Sequence, residues 1–434
     1  MILKPKNKHS DEKTLNDIVG YPEEKEEARK IIYILKNAKK MQEDGINLPK
    51  GLLLAGRPGV GKTLLAMAIV HESGLPCFSI TTENTSVKEI TRTFQKARRK
   101  SPSILFIDEM DKLCSYQGFL VSDEGEATIR TLLTQLDANT EKEPVLVIAT
   151  LNDFQCLPYS LVRSGRFDCK IKIATPDLKA RESIFDYYVK RVRNIGEIDC
   201  EKLAKETPGL TGADIFNIVN SAAIDALSSG QKLETENLEV HIPLVCSGGV
   251  AKQQSSQDRN IIACHEAGHA ILSYSLLGDY PSVSLYQYNN VRGLTMSQED
   301  TTATQNKLVP LKKTLDQITV LLGGKMAESL YLKENYGGLL SDISNARSLI
   351  RYLCSAGYFG YRYCTSDEDN PSPFGKGEPN LVNEKITEVL EEQSKRAEEI
   401  LTDKSILFHA LWNRLKEVNY LSSDEFKEIV KTNS

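Results

Sequence analysis

The chain has no CxxC pair: its nine cysteines are scattered singly from Cys77 to Cys364. That spacing excludes a disulfide framework and a thiolate zinc site, and it suits reduced thiols in a reducing compartment. Long apolar runs are missing too. Nothing approaches the roughly 18 residues of a membrane helix, and the strongest run, VLVIA at 145–149, has only strand length. The N-terminal MILKPKNKHSDEK is polar and lacks the apolar core of a signal peptide. Excess positive charge is absent as well. A net charge of −5 gives no electrostatic reason to expect nucleic acid or an acidic membrane surface as partner. These absences lead us to expect a soluble, cytoplasmic chain that binds no nucleic acid.

What is present suffices for two or three domains, since the chain has 434 residues and a domain takes about 100–200. A polar tail (1–13) precedes a region, 14–175, in which short apolar runs alternate with helical patterns. GLLLAG (51–56), the stretch around PCFSI (76–80), SILFID (103–108), PVLVIAT (144–150) and the run around KIKIA (170–174) have strand character. Apolar on both faces, they suit a parallel sheet covered by helices, an α/β domain. Residues 176–245 look like a small helical lid, and 246–258 like a flexible linker rich in glycine and short polar residues. From 259 to 434 the pattern is mostly helical. A hairpin is expected at VSLYQYNNVRGLTMS (283–297), and a surface loop at SDEDNPSPFGKGEPN (366–380).

GRPGVGKT at 56–63 fits GxxxxGK[ST] and sits between a strand and a helix. Backbone N–H groups of Gly56, Arg57, Pro58's neighbours, Gly59, Val60 and Gly61 can curl around phosphate oxygens, and the helix beginning near Leu64 adds its positive dipole end. Lys62 would reach the β- and γ-phosphates and Thr63 a magnesium ion. Asp108 and Glu109 close a buried strand in SILFIDEMD, where carboxylates are costly unless they meet cations. Asp108 can hold the magnesium through water, and Glu109 can orient the water that attacks the γ-phosphate of ATP. Asn152 follows the strand VLVIAT and could position a water there. Arg163 and Arg166, in RSGRFD, are by themselves an arginine pair on a solvated face; within an ATPase they can serve as fingers reaching a neighbour's nucleotide.

CHEAGH at 264–269 lies in a helical pattern, so His265 and His269 stand one turn apart on one face and can share a zinc ion. Glu266 is placed to deprotonate the attacking water and pass the proton to a leaving amine. Only six histidines occur in the chain, and none follows at the spacing that would complete a three-histidine site. A carboxylate must serve as third ligand. Glu328, in GGKMAESL, and Asp342, in LLSDISNARSLIRYLC, are the candidates, although Asp342 could equally be a simple helix-start residue.

Taken together these residues resemble the FtsH-type AAA+ zinc metalloproteases, from about residue 14 to beyond 420. NDIVGYPEEKEEARKII (16–32) looks like the family's segment before the P-loop, with Val19 and Gly20 near the adenine. TPGLTGADI (207–215) is similar to the lid motif, with Gly212 and Ala213 near adenine and ribose. LLSDI aligns with the segment that carries the aspartate ligand, which selects Asp342 over Glu328. The resemblance implies an ATP- and magnesium-dependent zinc endopeptidase, a homohexameric ring that pulls polypeptides into a protease chamber. An edge strand at Gly293–Ser297 would hold the substrate by β-augmentation. The competing expectation is a remodelling ATPase with vestigial proteolysis.

Two departures from the family stand out. Its members begin with membrane helices, and none precedes Asn16 here, so membrane association would need an anchor this chain does not contain. The loop in SITTENTSVKEI is shortened and has no aromatic residue to grip a threaded chain, Phe78 being a strand residue. Tyr116 and Phe119 could line a second pore loop. Weaker unfolding of stably folded substrates than the family norm is therefore expected.

Overall fold

The computed structural model describes residues 13–81, 86–113, 116–117, 120–121, 123–139, 143–154, 157–163, 165–247, 256–286, 293–296, 309–334, 336, 340–360 and 379–433. Helices α1 (Pro22–Lys36) and α2 (Ala38–Glu43) lead into β1 (Gly51–Ala55), α3 (Lys62–Ser73), β2 (Cys77–Ile80), α4 (Val87–Arg98) and β3 (Ser103–Ile107). Then come α5 (Met110–Leu113), the two-residue pair β4 (Tyr116–Gln117) and β5 (Leu120–Val121), α6 (Asp123–Asp137), β6 (Val145–Leu151), α7 (Tyr159–Val162) and β7 (Cys169–Lys172).

The five longer strands pair in parallel in the order β2-β3-β6-β1-β7. They are the five apolar runs expected from the sequence. Alternate side chains build two cores, as the two-residue period of a strand requires. Leu53, Phe78, Leu105, Ile107 and Val147 pack with Ile90, Phe94 and Leu136 of α4 and α6 on one face. Leu52, Leu54, Phe106 and Ile148 pack with Ile31, Ile32, Leu65 and Ile69 of α1 and α3 on the other. Because parallel strands all run one way, the ends of β1, β3 and β6 bring their following loops to one edge of the sheet, where such folds bind ligands.

Next come α8 (Leu178–Val189), α9 (Cys200–Glu206), α10 (Gly212–Ser228) and α11 (Thr235–Ser247), with a bridge between Ile195, ahead of α9, and Leu233, ahead of α11. The remainder comprises α12 (Ser256–Leu277), β8 (Ser282–Ser284), β9 (Leu294–Met296), α13 (Leu311–Ala327), α14 (Leu340–Ser355), α15 (Pro379–Asp403), α16 (Ser405–Glu417), β10 (Tyr420–Leu421) and α17 (Ser423–Asn433). Contacts divide the chain into two compact units, Met1–Arg191 with Gly209–Asn217, and Val192–Pro208 with Ile218–Ser434.

Within the second unit α12 is buried on nearly every side, with Ala263, Cys264, Ala267, Ala270, Ile271 and Leu272 all sealed from solvent. It crosses α13 almost backbone to backbone. A Cβ on Gly268 would stand 2.4 Å from the Gly323 carbonyl oxygen, and one on Gly323 would stand 2.8 Å from that of Gly268. Glycine at both positions therefore sets the approach of the two helices. At its end α13 widens into one π-type turn, Glu328–Leu332, the kind of bulge that re-aims a side chain inside a helix.

The expected hairpin exists as β8 and β9, antiparallel with Val283 opposite Thr295, while its turn residues 287–292 lie outside the described residues. A third strand, β10, joins β8 on the other side, giving the order β10-β8-β9. The shortened loop at 82–85, the linker residues 248–255, Phe119, Ser297 and the loop at 366–378 also fall outside the described residues. Among the described residues no helix is long and apolar enough to cross a membrane.

Candidate functional site

The first site lies at the sheet edge. Gly59 and Gly61 take positive φ of 84° and 100°, a backbone that residues with a side chain adopt only under strain. Gly59 also has no room for one, since a Cβ would stand 2.6 Å from Thr211 Oγ1 and 3.0 Å from Ala213 Cβ. The Ala213 N–H donates to Gly59 O at 3.3 Å, so the GA pair of the lid motif, Gly212 and Ala213, meets the glycine loop directly. Val60 is buried, Arg57 and Pro58 are exposed, and Leu64 packs on the sheet.

Lys62 Nζ lies over the loop, donating to Gly56 O at 2.6 Å, Arg57 O at 3.1 Å and Asn152 Oδ1 at 3.2 Å. Burial lowers its pKa, against the opposing pull of Asp111, Asp108 and Glu109. Asp108 Oδ1 accepts from Thr63 Oγ1 at 3.0 Å and from Thr150 Oγ1 at 2.6 Å, which joins the ends of β3 and β6 to the start of α3. Glu109 has φ of 51°, its N–H donates to Thr150 Oγ1, and its carboxylate pairs with Lys112 at 2.5 Å. Asn152 Nδ2 donates to Asp111 Oδ2 at 2.6 Å. Thr150 and Asp111 belong to this cluster although the motifs do not single them out. Near the start of the chain Gly20, with φ of 76°, packs on Ala180, and Val19 beside it is half-buried.

The two arginines part company. Arg163 is exposed, whereas Arg166 is buried and forked onto Asp137, Nε to Oδ1 at 2.8 Å and Nη2 to Oδ2 at 2.7 Å. A guanidinium so held anchors its own loop.

The second site is built on α12. His265 and His269 face the same way, their Nε2 atoms 2.9 Å apart. Asp342, in the first turn of α14, brings Oδ2 to 3.4 Å from His265 Nε2 and 3.6 Å from His269 Nε2. Among the described residues these are the one group of three ligand-type side chains close enough to share an ion, with ligand atoms within 4.8 Å of one another.

The outer nitrogens fix the tautomers. His265 Nδ1 donates to Glu328 Oε1 at 2.9 Å, and His269 Nδ1 donates to Val320 O at 2.7 Å. In its neutral form each ring thus presents an Nε2 lone pair inward. Two such lone pairs and a carboxylate pointed at one spot repel one another unless a cation sits among them, and two histidines with one carboxylate is a usual catalytic zinc set. The side chains fit that ion. Burial alone would pull the His265 pKa down, but Asp342, Glu328 and Glu266 outweigh it and lift it to about 9, so a proton competes with a cation for the Nε2 lone pair. Burial works against ionised Asp342, yet the two histidines facing it hold its carboxyl well below the usual range.

Glu328 is therefore a support to His265 and faces away from the point where the three ligand atoms converge. Its second oxygen accepts from the Tyr336 N–H at 3.0 Å, and its residue is 1% exposed. Gly324 is needed for the same fit: a Cβ there would lie 2.1 Å from His265 Cε1. A GG pair inside a helical pattern is the sequence signal that could have pointed to this. Burial pushes the adjacent Cys264 thiol up to about 12, which leaves it neutral.

Comparison with known proteins finds family models over the regions that hold both clusters. The model of the ATPase family associated with various cellular activities (AAA) matches residues 52–175, the AAA+ lid domain 197–240, and peptidase family M41 252–429. The ATP-dependent zinc metalloprotease FtsH 1 of Thermoanaerobacter sp. (strain X514) is 32% identical over 96% of this chain and 72% of its own length. The ATP-dependent zinc metalloprotease FtsH of Caldicellulosiruptor bescii is also 32% identical over the same shares. The chain belongs to the FtsH family. As an FtsH-type protein it carries the AAA+ and M41 parts in one polypeptide, and the cluster on α12 lies inside the M41 match.

Proposed function

We propose that the chain cuts polypeptides with His265, His269 and Asp342 as zinc ligands and Glu266 as proton carrier, and that its ATPase half delivers them. The family is one of ATP-dependent zinc metalloproteases, and the chain is such an enzyme. The observation that carries the assignment of residues is the pair of inward Nε2 lone pairs, fixed from outside by Glu328 and Val320 and met by Asp342.

Zinc, when bound there, supplies the Lewis acid that polarises the scissile carbonyl and makes water a better nucleophile. Glu266 takes the proton of the attacking water and returns it to the leaving amine. β9 ends its sheet among the described strands, so a substrate chain can add along it in extended form. In the other half, Gly56 to Leu64 would cradle the phosphates of ATP, with Thr63 and Asp108 on magnesium. Glu109 and Asn152 would orient the attacking water, and Val19, Gly20, Gly212 and Ala213 would flank the base and ribose. Exposed Arg163 is the better candidate for a finger acting in a neighbour, with Arg166 holding its loop through Asp137. Fingers acting in trans require a ring, here a homohexamer.

Casein digestion with and without ATP tests this. Glu266→Gln should lose cleavage by at least about 100-fold while keeping its ATPase, and Lys62→Ala should abolish ATP stimulation. Full digestion by Glu266→Gln would overturn the protease assignment. No cleavage by the wild type would favour a remodelling ATPase.

A further inference from the structure

Glu266 is 6% exposed and lies on the side of α12 that meets β9. Gly293 and Thr295 are two apart in an extended segment, so both face that helix. Thr295 Oγ1 donates to Glu266 Oε2 at 2.7 Å and lies 3.3 Å from the Glu266 backbone oxygen. The other carboxylate oxygen lies over Gly293, where a Cβ would stand 2.5 Å from Oε1, 2.9 Å from Glu266 Cγ and 2.7 Å from Ile262 Cγ2. The strand thus holds one oxygen by a charge-assisted hydrogen bond and leaves space for the other only because residue 293 has no side chain.

Given the protease reading above, on which this rests, we propose that Thr295 is a positioning residue that sets the orientation of Glu266 from the strand along which substrate adds. A glutamate has three side-chain torsions, and a proton carrier must sit within hydrogen-bond reach of both water and the leaving amine. Tethering Oε2 fixes the carboxylate plane and commits Oε1 to proton transfer. Displacement of about 1 Å in such a group can cost on the order of 100-fold in rate. Thr295 touches neither His265, His269 nor Asp342 in the contacts described, so its loss should spare the metal. β9 thereby couples two tasks: its backbone edge takes the substrate, and its inward hydroxyl aims the base.

The test uses the full chain and a fluorogenic peptide substrate, comparing wild type, Thr295→Val, Thr295→Ser and Glu266→Gln, with zinc content and melting temperature measured alongside. Thr295→Val keeps the branched shape and removes the hydroxyl. It should lower kcat by about 10- to 100-fold, with KM within about twofold, zinc retained and melting temperature close to wild type. Thr295→Ser should recover most of kcat. The proposal is overturned if Thr295→Val keeps wild-type kcat, if the serine variant is as slow as the valine, if KM alone rises, or if zinc is lost with activity. Cleavage surviving in Glu266→Gln would instead sink the protease reading itself.

Discussion

At Gly324 a single hydrogen decides whether His265 can reach its place, because any Cβ would overlap the imidazole at 2.1 to 2.3 Å. The ring is 3% exposed and held at Nδ1 by Glu328, so it cannot swing aside. Gly324→Ala is expected to weaken zinc binding by about 10- to 100-fold, the range seen when support around a metal ligand is lost. Competition against a zinc-sensitive chelator dye would measure it. Glu328→Gln should cost less, since an amide oxygen can still accept from Nδ1. The histidines and Glu266 were legible in CHEAGH because the four-residue spacing is itself the geometry. The two carboxylates were not separable by residue type. One serves Nδ1 and the other faces Nε2, and nothing in a sequence says which ring nitrogen a distant carboxylate will meet. Arg163 and Arg166 show the same limit, for their different fates depend on Asp137, far off in the chain.

Between elements, the contact of α9 with β10 and α17 carries an unusual charge cluster. Glu206 is 2% exposed, accepts from Tyr420 at 2.8 Å, and is pushed up to about 7 by burial and by the neighbouring Glu239. Lys202 answers only part of this charge, pairing with Glu239 at 2.6 Å and Asp424 at 3.2 Å. A carboxyl raised in the folded state favours folding when protonated. Its contribution is full below the ordinary value of 4.5 and lost as pH rises through about 7. Glu206→Gln should therefore stabilise the chain at pH 8 by on the order of 3 kcal/mol, and the gain should vanish below pH 4.5. Urea unfolding at several pH values would show it; an equal effect at all pH values would contradict it. The five strands of the parallel sheet were readable because both faces are apolar. The two-residue β10 was not, since its pairing with β8 is fixed by a distant partner and leaves no local period.

For the molecule as an assembly, the exposed Arg163 makes a prediction that a lone subunit cannot satisfy. If it acts on a neighbour, Lys62→Ala and Arg163→Ala subunits should each be inactive as ATPases alone but complement when mixed. In equal random mixture about a quarter of the interfaces pair an intact nucleotide loop with an intact finger. ATP hydrolysis should recover toward about a quarter of the wild-type rate, whereas fingers acting within one subunit would give no recovery. The metal cluster matters on this scale in a different currency. His265 and Asp342 stand 77 positions apart in the chain, and their supports come from α13 and the turn after it. An ion shared among them would be a cross-link, closing a long loop that the unfolded chain leaves open. Cutting power and mechanical integrity would then share one atom: a starved enzyme would lose its blade and the pin that holds α12 to α14.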